Sequence, residues 1–189
     1  MKKITLIIAS LFLMGGLMAQ TKYSVDKAHA SVNFKIKHMG ITFVNGSFTS
    51  FDGFVEGDLN QMEKARVEFT VDTKSIDTRV ERRDDHLRSA DFFEVEKYPQ
   101  MSFKSTGIEK VDDENYKLNG LLTIKDVTKP VTFDVKYGGK VTGKDGKDVI
   151  GFTAKNTINR LDYNVSYDPD AATVGKDVAI VLYMEFKAP

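Results

Sequence analysis

Ala65-Arg66-Val67-Glu68-Phe69-Thr70-Val71-Asp72 alternates apolar with charged or polar residues for eight positions. Successive side chains of a strand point to opposite faces, so this stretch predicts one face on a core and one in water, as in an antiparallel sheet. The same period recurs on both sides of it. Val32, Phe34 and Ile36 are separated by Asn33 and Lys35, and Val131, Phe133, Val135 and Tyr137 by Thr132, Asp134 and Lys136. Further strands are expected over 44–51, 54–59, 101–108, 116–124, 149–159 and 178–186. Turn signals separate them at Asp52-Gly53, Asp112-Asp113-Glu114-Asn115, Gly138-Gly139 and Lys144-Asp145-Gly146-Lys147. Many short strands with regular turns mean an all-β sandwich or barrel. A barrel has no open edges, and eight strands leave room for one small ligand.

The N-terminus has a different character. Lys2 and Lys3 precede an apolar run from Ile4 to Leu17, and Met18-Ala19-Gln20 leads into polar sequence. That order is expected of a cleaved secretory signal peptide at 1–19, leaving one domain over 20–189; the run is short for a membrane span. With no Cys in the chain there is neither a disulfide nor a thiol for lipid attachment at the cleavage point. A periplasmic or secreted location follows as the expectation. The mature chain carries 25 basic and 27 acidic side chains, a net −2. Nothing in that balance points to nucleic acid, to a polybasic membrane anchor or to stable membrane insertion.

The region 75–98 breaks the alternation. Thr78 with Glu81 fits a capping box, and Asp84 with Arg88 a helical pair four apart. A short helix is expected over 79–89, followed by a second turn that ends at Pro99. Phe92 and Phe93 are adjacent, so a regular turn points only one of them inward.

Several stretches, in this order and spacing, resemble the YceI-like lipid/polyisoprenoid-binding family. They are Val25-Asp26 with Ala28-His29, Lys37-His38-Met39-Gly40, Gly46-Ser47-Phe48, Asp85 to Phe93, Lys97-Tyr98-Pro99, Met101 to Ser105, Gly120 to Val131, and Ile158 to Tyr163. The resemblance implies an eight-stranded antiparallel, lipocalin-like barrel with a short helical insertion and an elongated apolar pocket. It also implies a polyisoprenoid, quinone-type or similar long-chain lipid as ligand and partner, with no cofactor otherwise. Asp126 and Asn164 stand where the family often has Gly. Both residue types tolerate left-handed backbone.

Residues expected to line such a pocket are Phe34, Ile36, Phe48, Phe69, Val71, Phe103 and Tyr163 from strand faces, with Leu87, Phe92 and Phe93 from the insertion. Arg79, Arg83, His86 and Arg88 are expected near the rim, either facing a polar head or paired with Asp84, Asp85 and Asp91. The three histidines, His29, His38 and His86, lack metal-ligand spacing, so no metal is expected. There is no Gly-x-Ser-x-Gly elbow and no Cys nucleophile, so binding is expected rather than catalysis, the alternatives being an enzyme acting on such a lipid or a stress-related protein with a solid barrel. The oligomeric state is left open, a dimer being one option.

Overall fold

The computed structural model describes residues 20–189, and the expected leader at 1–19 lies outside the described residues. Three of its strands are interrupted. β1 comprises Thr21–Val25 and Ser31–His38, β2 Thr42–Phe48 and Phe51–Gly57, and β3 Arg66–Asp72 and Ile76–Asp77. The two halves of β1 face one strand, Ser24 and Val25 opposite Lys187 and Phe186, then Ser31 to Ile36 opposite Tyr183 to Val178, with a register shift before His38 opposite Val174. The excursion at 26–30 therefore interrupts one strand and does not divide two.

The remaining strands are β4 (Gln100–Lys110), β5 (Asn115–Ile124), β6 (Val127–Thr142), β7 (Asp148–Asn159) and β8 (Val174–Lys187). Each pairs antiparallel with its neighbour in sequence, and β8 returns to β1. The result is a closed eight-stranded antiparallel barrel of meander topology. Closure satisfies both edges of every strand, which an open sheet cannot do.

At one end lie the tip of the β1–β2 hairpin, α1 (Glu81–Arg88) with the turns to Pro99, the Lys125-Asp126 turn, and the 160–173 segment. We call this the helix end. The opposite end carries the 3-10 segment Leu59–Lys64 and the loops at 111–114 and 143–147. Among the described residues, no helix is long and apolar enough to cross a membrane.

Two expected turns are strand interior instead. Asp52-Gly53 lies within β2, whose break is at Thr49-Ser50. Gly53 is opposite Phe69, and a Cβ there would sit closer than 3.0 Å to that ring. The glycine serves to let an aromatic ring lie across its neighbour strand. Gly138-Gly139 lies within β6, where Gly138 is the unpaired residue of a bulge between Tyr137 opposite Phe152 and Gly139 opposite Gly151. Gly139 has φ 109°, which favours glycine. The expected strand at 54–59 ends at Gly57, and Thr21–Val25 is a strand segment that the alternation does not reveal.

Gly46 and Gly120 repeat the arrangement of Gly53, under Phe34 and Phe103. Gly53→Ala is expected to destabilise by about 1–2 kcal/mol. Overpacking costs about 1–3 kcal/mol, and the stiffer unfolded chain offsets about 0.4–1 kcal/mol. A urea midpoint equal to wild type would show that the Phe69 ring yields without cost.

The helical insertion forms as expected, by different contacts. α1 starts after Val80, and no side chain caps it. In place of the capping box, buried Asp84 accepts the Thr78 N–H (2.9 Å) and the Thr78 hydroxyl. Arg83 adds bonds to the Thr78 hydroxyl (2.7 Å) and carbonyl (2.8 Å). Asp84 is thus occupied, and Arg88 pairs with Asp85 (3.0 Å) while donating to the carbonyls of Lys74 and Ile76 (3.0 Å each). Those bonds tie the helix to the end of β3. Asn164 has φ 58°, as its residue type permits, whereas in the β5–β6 turn it is Lys125, not Asp126, at φ 55°. Asn164 and Asp126 meet: the Asn164 amide donates to the Asp126 carboxylate at 3.1 Å.

Candidate functional site

The inward faces do not close on one another. They line a cavity of ≈ 400 Å³ along the barrel, within the size range of ligand pockets. From β3 come Val67, Phe69 and Val71, from β1 Phe34 and Ile36, from β4 Met101 and Phe103, and from β8 Val178, Ile180, Leu182 and Met184. β5, β6 and β7 contribute Leu122, Phe133, Val135 and Ala154. The same alternation that makes each strand half-buried therefore makes a continuous apolar wall.

The lining is asymmetric along the barrel. Away from the helix end it meets Met62, Tyr116 and Phe186, which are buried, so that end is shut. At the helix end the lining includes Lys37, His38, Thr78, Arg83, His86, Arg160 and Tyr167. The His86 side chain is 43% exposed and Tyr167 41% exposed, so the cavity reaches the surface there. Among the described residues, the lining holds no Asp or Glu. The cationic groups gather at the open end, and a largely apolar length, with Asn33 midway and Tyr116 at its base, lies behind them.

The mouth is framed by three rings. His86, Phe92 and Tyr167 lie 4.8–5.1 Å apart between centroids. His86 Nε2 is 2.9 Å from Asp91 Oδ2. Phe93 meets Phe48 edge-on at 5.9 Å.

Arg160 holds the segment that carries Tyr167. Its side chain is 4% exposed and donates to five backbone carbonyls: Gly175 (2.9 Å), Val165 (2.7 Å), Tyr167 (2.6 Å), Asp168 (2.9 Å) and Val174 (2.8 Å). Desolvation pushes its pKa down from the usual guanidinium range, and the Asp168 carboxylate opposes that. Asp168 in turn accepts the N–H groups of Val174 and Thr173, which hold its carboxyl below the ordinary carboxylate range.

All ten side chains expected to face a pocket are among the lining residues: Phe34, Ile36, Phe48, Phe69, Val71, Leu87, Phe92, Phe93, Phe103 and Tyr163. The expectation that only one of Phe92 and Phe93 turns inward is corrected. Phe92 joins the ring cluster while Phe93 reaches Phe48 on the β1–β2 hairpin, so both find a place on the lining. Of the rim cations, Arg83 and His86 line the cavity, and Arg88 is spent on Asp85 and the carbonyls of β3. Arg160 and Tyr167 escape the sequence reading as lining residues. Their partners are backbone carbonyls and a ring from another loop, and neither leaves a pattern in the sequence.

Asp26, His29 and Glu185 come together outside the cavity, His29 Nδ1 lying 3.1 Å from Asp26 and 3.9 Å from Glu185. The hydrogen bond that the imidazole gives to the Asp26 carboxylate raises the His29 pKa. We read the group as an exposed ion pair.

A model of the YceI-like domain family matches residues 23–186. Protein YceI of Salmonella arizonae is 38% identical over 180 residues, spanning 94% of this chain and 93% of its own. Among solved structures, BcnA of Burkholderia cenocepacia superposes with a TM-score of 0.78 at 26% identity, covering 85% of this chain and 98% of that one. The YceI protein of Campylobacter jejuni gives 0.73 at 33% identity, covering 99% and 98%. A polyisoprenoid binding domain from Saccharophagus degradans shares the fold with a TM-score of 0.67 at 14% identity, covering 88% and 98%.

Proposed function

The chain belongs to the YceI-like family, and from that premise we propose that it is an exported carrier that sequesters a long-chain lipid of the polyisoprenoid or quinone class inside its barrel. The observation that carries this reading is the shape of the cavity: a largely apolar length, shut at one end, with its cationic groups at the other. A long apolar chain with one polar head matches that distribution. Burial contributes about 0.8 kcal/mol per CH₂. Two isoprene units, roughly ten carbons, give on the order of 8 kcal/mol gross on that scale, which association costs reduce by several kcal/mol. A longer chain is held more tightly, so an elongated cavity suits it. The Saccharophagus degradans domain supports the view that this barrel fold accommodates a polyisoprenoid.

Binding without chemistry fits the lining. His86 is the lining imidazole with a carboxylate partner, Asp91, and among the described residues no hydroxyl hydrogen-bonds to its ring nitrogens. Export to the periplasm or beyond rests on the Lys2-Lys3, apolar run and Ala19 order of the leader.

Native mass spectrometry of protein recovered from the cell envelope without detergent tests the proposal. The expected result is a chain beginning near Gln20 and a single long-chain lipid released into organic extract. Lipid-free protein that also fails to take up a polyprenyl lipid would overturn the carrier reading, and a mass that includes Met1–Ala19 would overturn cleavage.

A further inference from the structure

The β1–β2 hairpin ends beside the cavity mouth in an apolar tip. Met39 is 58% exposed, Ile41 84% and Phe43 52%. Scattered exposed apolar side chains need no explanation, but three within five residues at one tip form a patch. The patch is continuous with the cavity, because Ile36, Lys37, His38 and Val44 of the same hairpin line it. Val80 (48%) is exposed at the same end, following Thr78, whose methyl lies over Gly46 of the hairpin.

The hairpin's own charge is one-sided. From Lys27 to Phe51 there is no Asp or Glu, in a chain with 27 acidic residues. Lys35 and Lys37 flank the tip on the outer face, Lys37 opposite Phe43 and the Lys35 ammonium 5.2 Å from the Phe43 ring centroid. Among the described residues, neither lysine, nor Arg79 beside Val80, has a carboxylate within ion-pair distance. Asp170 and Asp177 stand across the outer groove from the two lysines without reaching them.

We propose that this hairpin tip docks the barrel, mouth first, on an anionic lipid bilayer. Met39, Ile41 and Phe43 enter the interface between headgroups and acyl chains, and Lys35, Lys37 and Arg79 meet the anionic headgroups. This is the arrangement that suits reversible interfacial binding, apolar side chains flanked by cations on flexible stems. Three cations and one short tip give weak, salt-sensitive attachment, consistent with the absence of a polybasic run. Docking places the mouth against the phase from which a lipid would be drawn. The inference goes beyond the carrier reading and stands without it.

Flotation with vesicles of phosphatidylcholine and phosphatidylglycerol, against phosphatidylcholine alone, tests it on the mature protein. The wild type is expected to float with the anionic vesicles and to be released by salt. Ile41→Asp is expected to weaken binding roughly tenfold to a hundredfold, from the apolar area withheld. Lys35→Gln is expected to weaken it about fivefold. Ile41 is almost wholly in water, so circular dichroism of I41D should match wild type. Equal flotation of I41D and wild type, or equal flotation on both vesicle types, overturns the proposal. So does a wild-type dimer in sedimentation without vesicles that I41D abolishes, which makes the tip a self-association surface. Protein that floats but neither carries nor takes up a polyprenyl lipid leaves docking intact and sinks the carrier reading, whereas lipid-loaded protein that never floats does the reverse.

Discussion

Arg160→Met lowers the thermal midpoint by roughly 6–20 °C. The guanidinium is almost fully buried and gives hydrogen bonds to five carbonyls between Val165 and Gly175. Removing the guanidinium leaves buried carbonyls without a donor, at about 1–3 kcal/mol for each that water cannot reach, or about 3–5 kcal/mol for two or so. For a domain of this size each kcal/mol shifts the midpoint by about 2–4 °C. The carbonyls would then need water in a segment that the guanidinium now closes. Because that segment carries Tyr167, the ring cluster with His86 and Phe92 should loosen as well. The ring signals of Tyr167 by NMR should broaden or shift. Arg160→Lys keeps the charge with three donors in place of five and no planar fork, so it should fall between the two. A midpoint for R160M within a degree or two of wild type would mean that the 160–173 segment holds itself without the clamp.

Arg160 also shows where sequence reading runs out. The strands were legible because half-burial imposes a period of two, and Val67, Phe69 and Val71 could hardly be read otherwise. The barrel was legible as closed or sandwiched sheet, since so many short strands leave edges to manage. Hollowness was not legible: Leu122, Phe133 and Ile180 would be apolar in a filled core and in an empty one alike. The resemblance to the YceI-like family supplied that expectation. Glycines misled in both directions. Gly53 and Gly138-Gly139 look like turns, yet one makes room for the Phe69 ring and the other pair makes a bulge. A close approach between strands has no local signature. Asp84 illustrates the same point for charge. Its spacing to Arg88 fits a surface pair, but the side chain turns inward to Thr78, because the β3 end presents an N–H and a hydroxyl that need an acceptor.

Ala154→Phe separates a hollow barrel from a solid one, with opposite signs for stability and for lipid content. Ala154 is buried, faces the cavity, and lies opposite Val135 of β6 and Leu182 of β8. In a close-packed interior the added ring would have no space, and overpacking would cost about 1–3 kcal/mol or more. In the barrel seen here the ring enters the cavity and packs on Leu182, Val135 and Phe152, all of which line it. Burying a phenyl group there should contribute rather than cost, on the order of 1–3 kcal/mol. The folded variant is therefore expected to melt at or above the wild-type midpoint measured on lipid-free protein. On the carrier reading, its bound lipid, weighed after extraction, should fall from near-stoichiometric to a small residue, because the ring crosses the path that a bound chain would occupy. Ala154→Leu, smaller and flexible, should give an intermediate loss of lipid with unchanged stability. Measuring midpoints without lipid matters, since a ligand that binds only the folded state raises the midpoint by mass action and would mask the gain. A variant that loses stability while keeping its lipid would mean that Ala154 is packed core and that the chain runs elsewhere. A variant that is stable and still fully loaded would mean that the lipid does not pass the middle of the barrel at all.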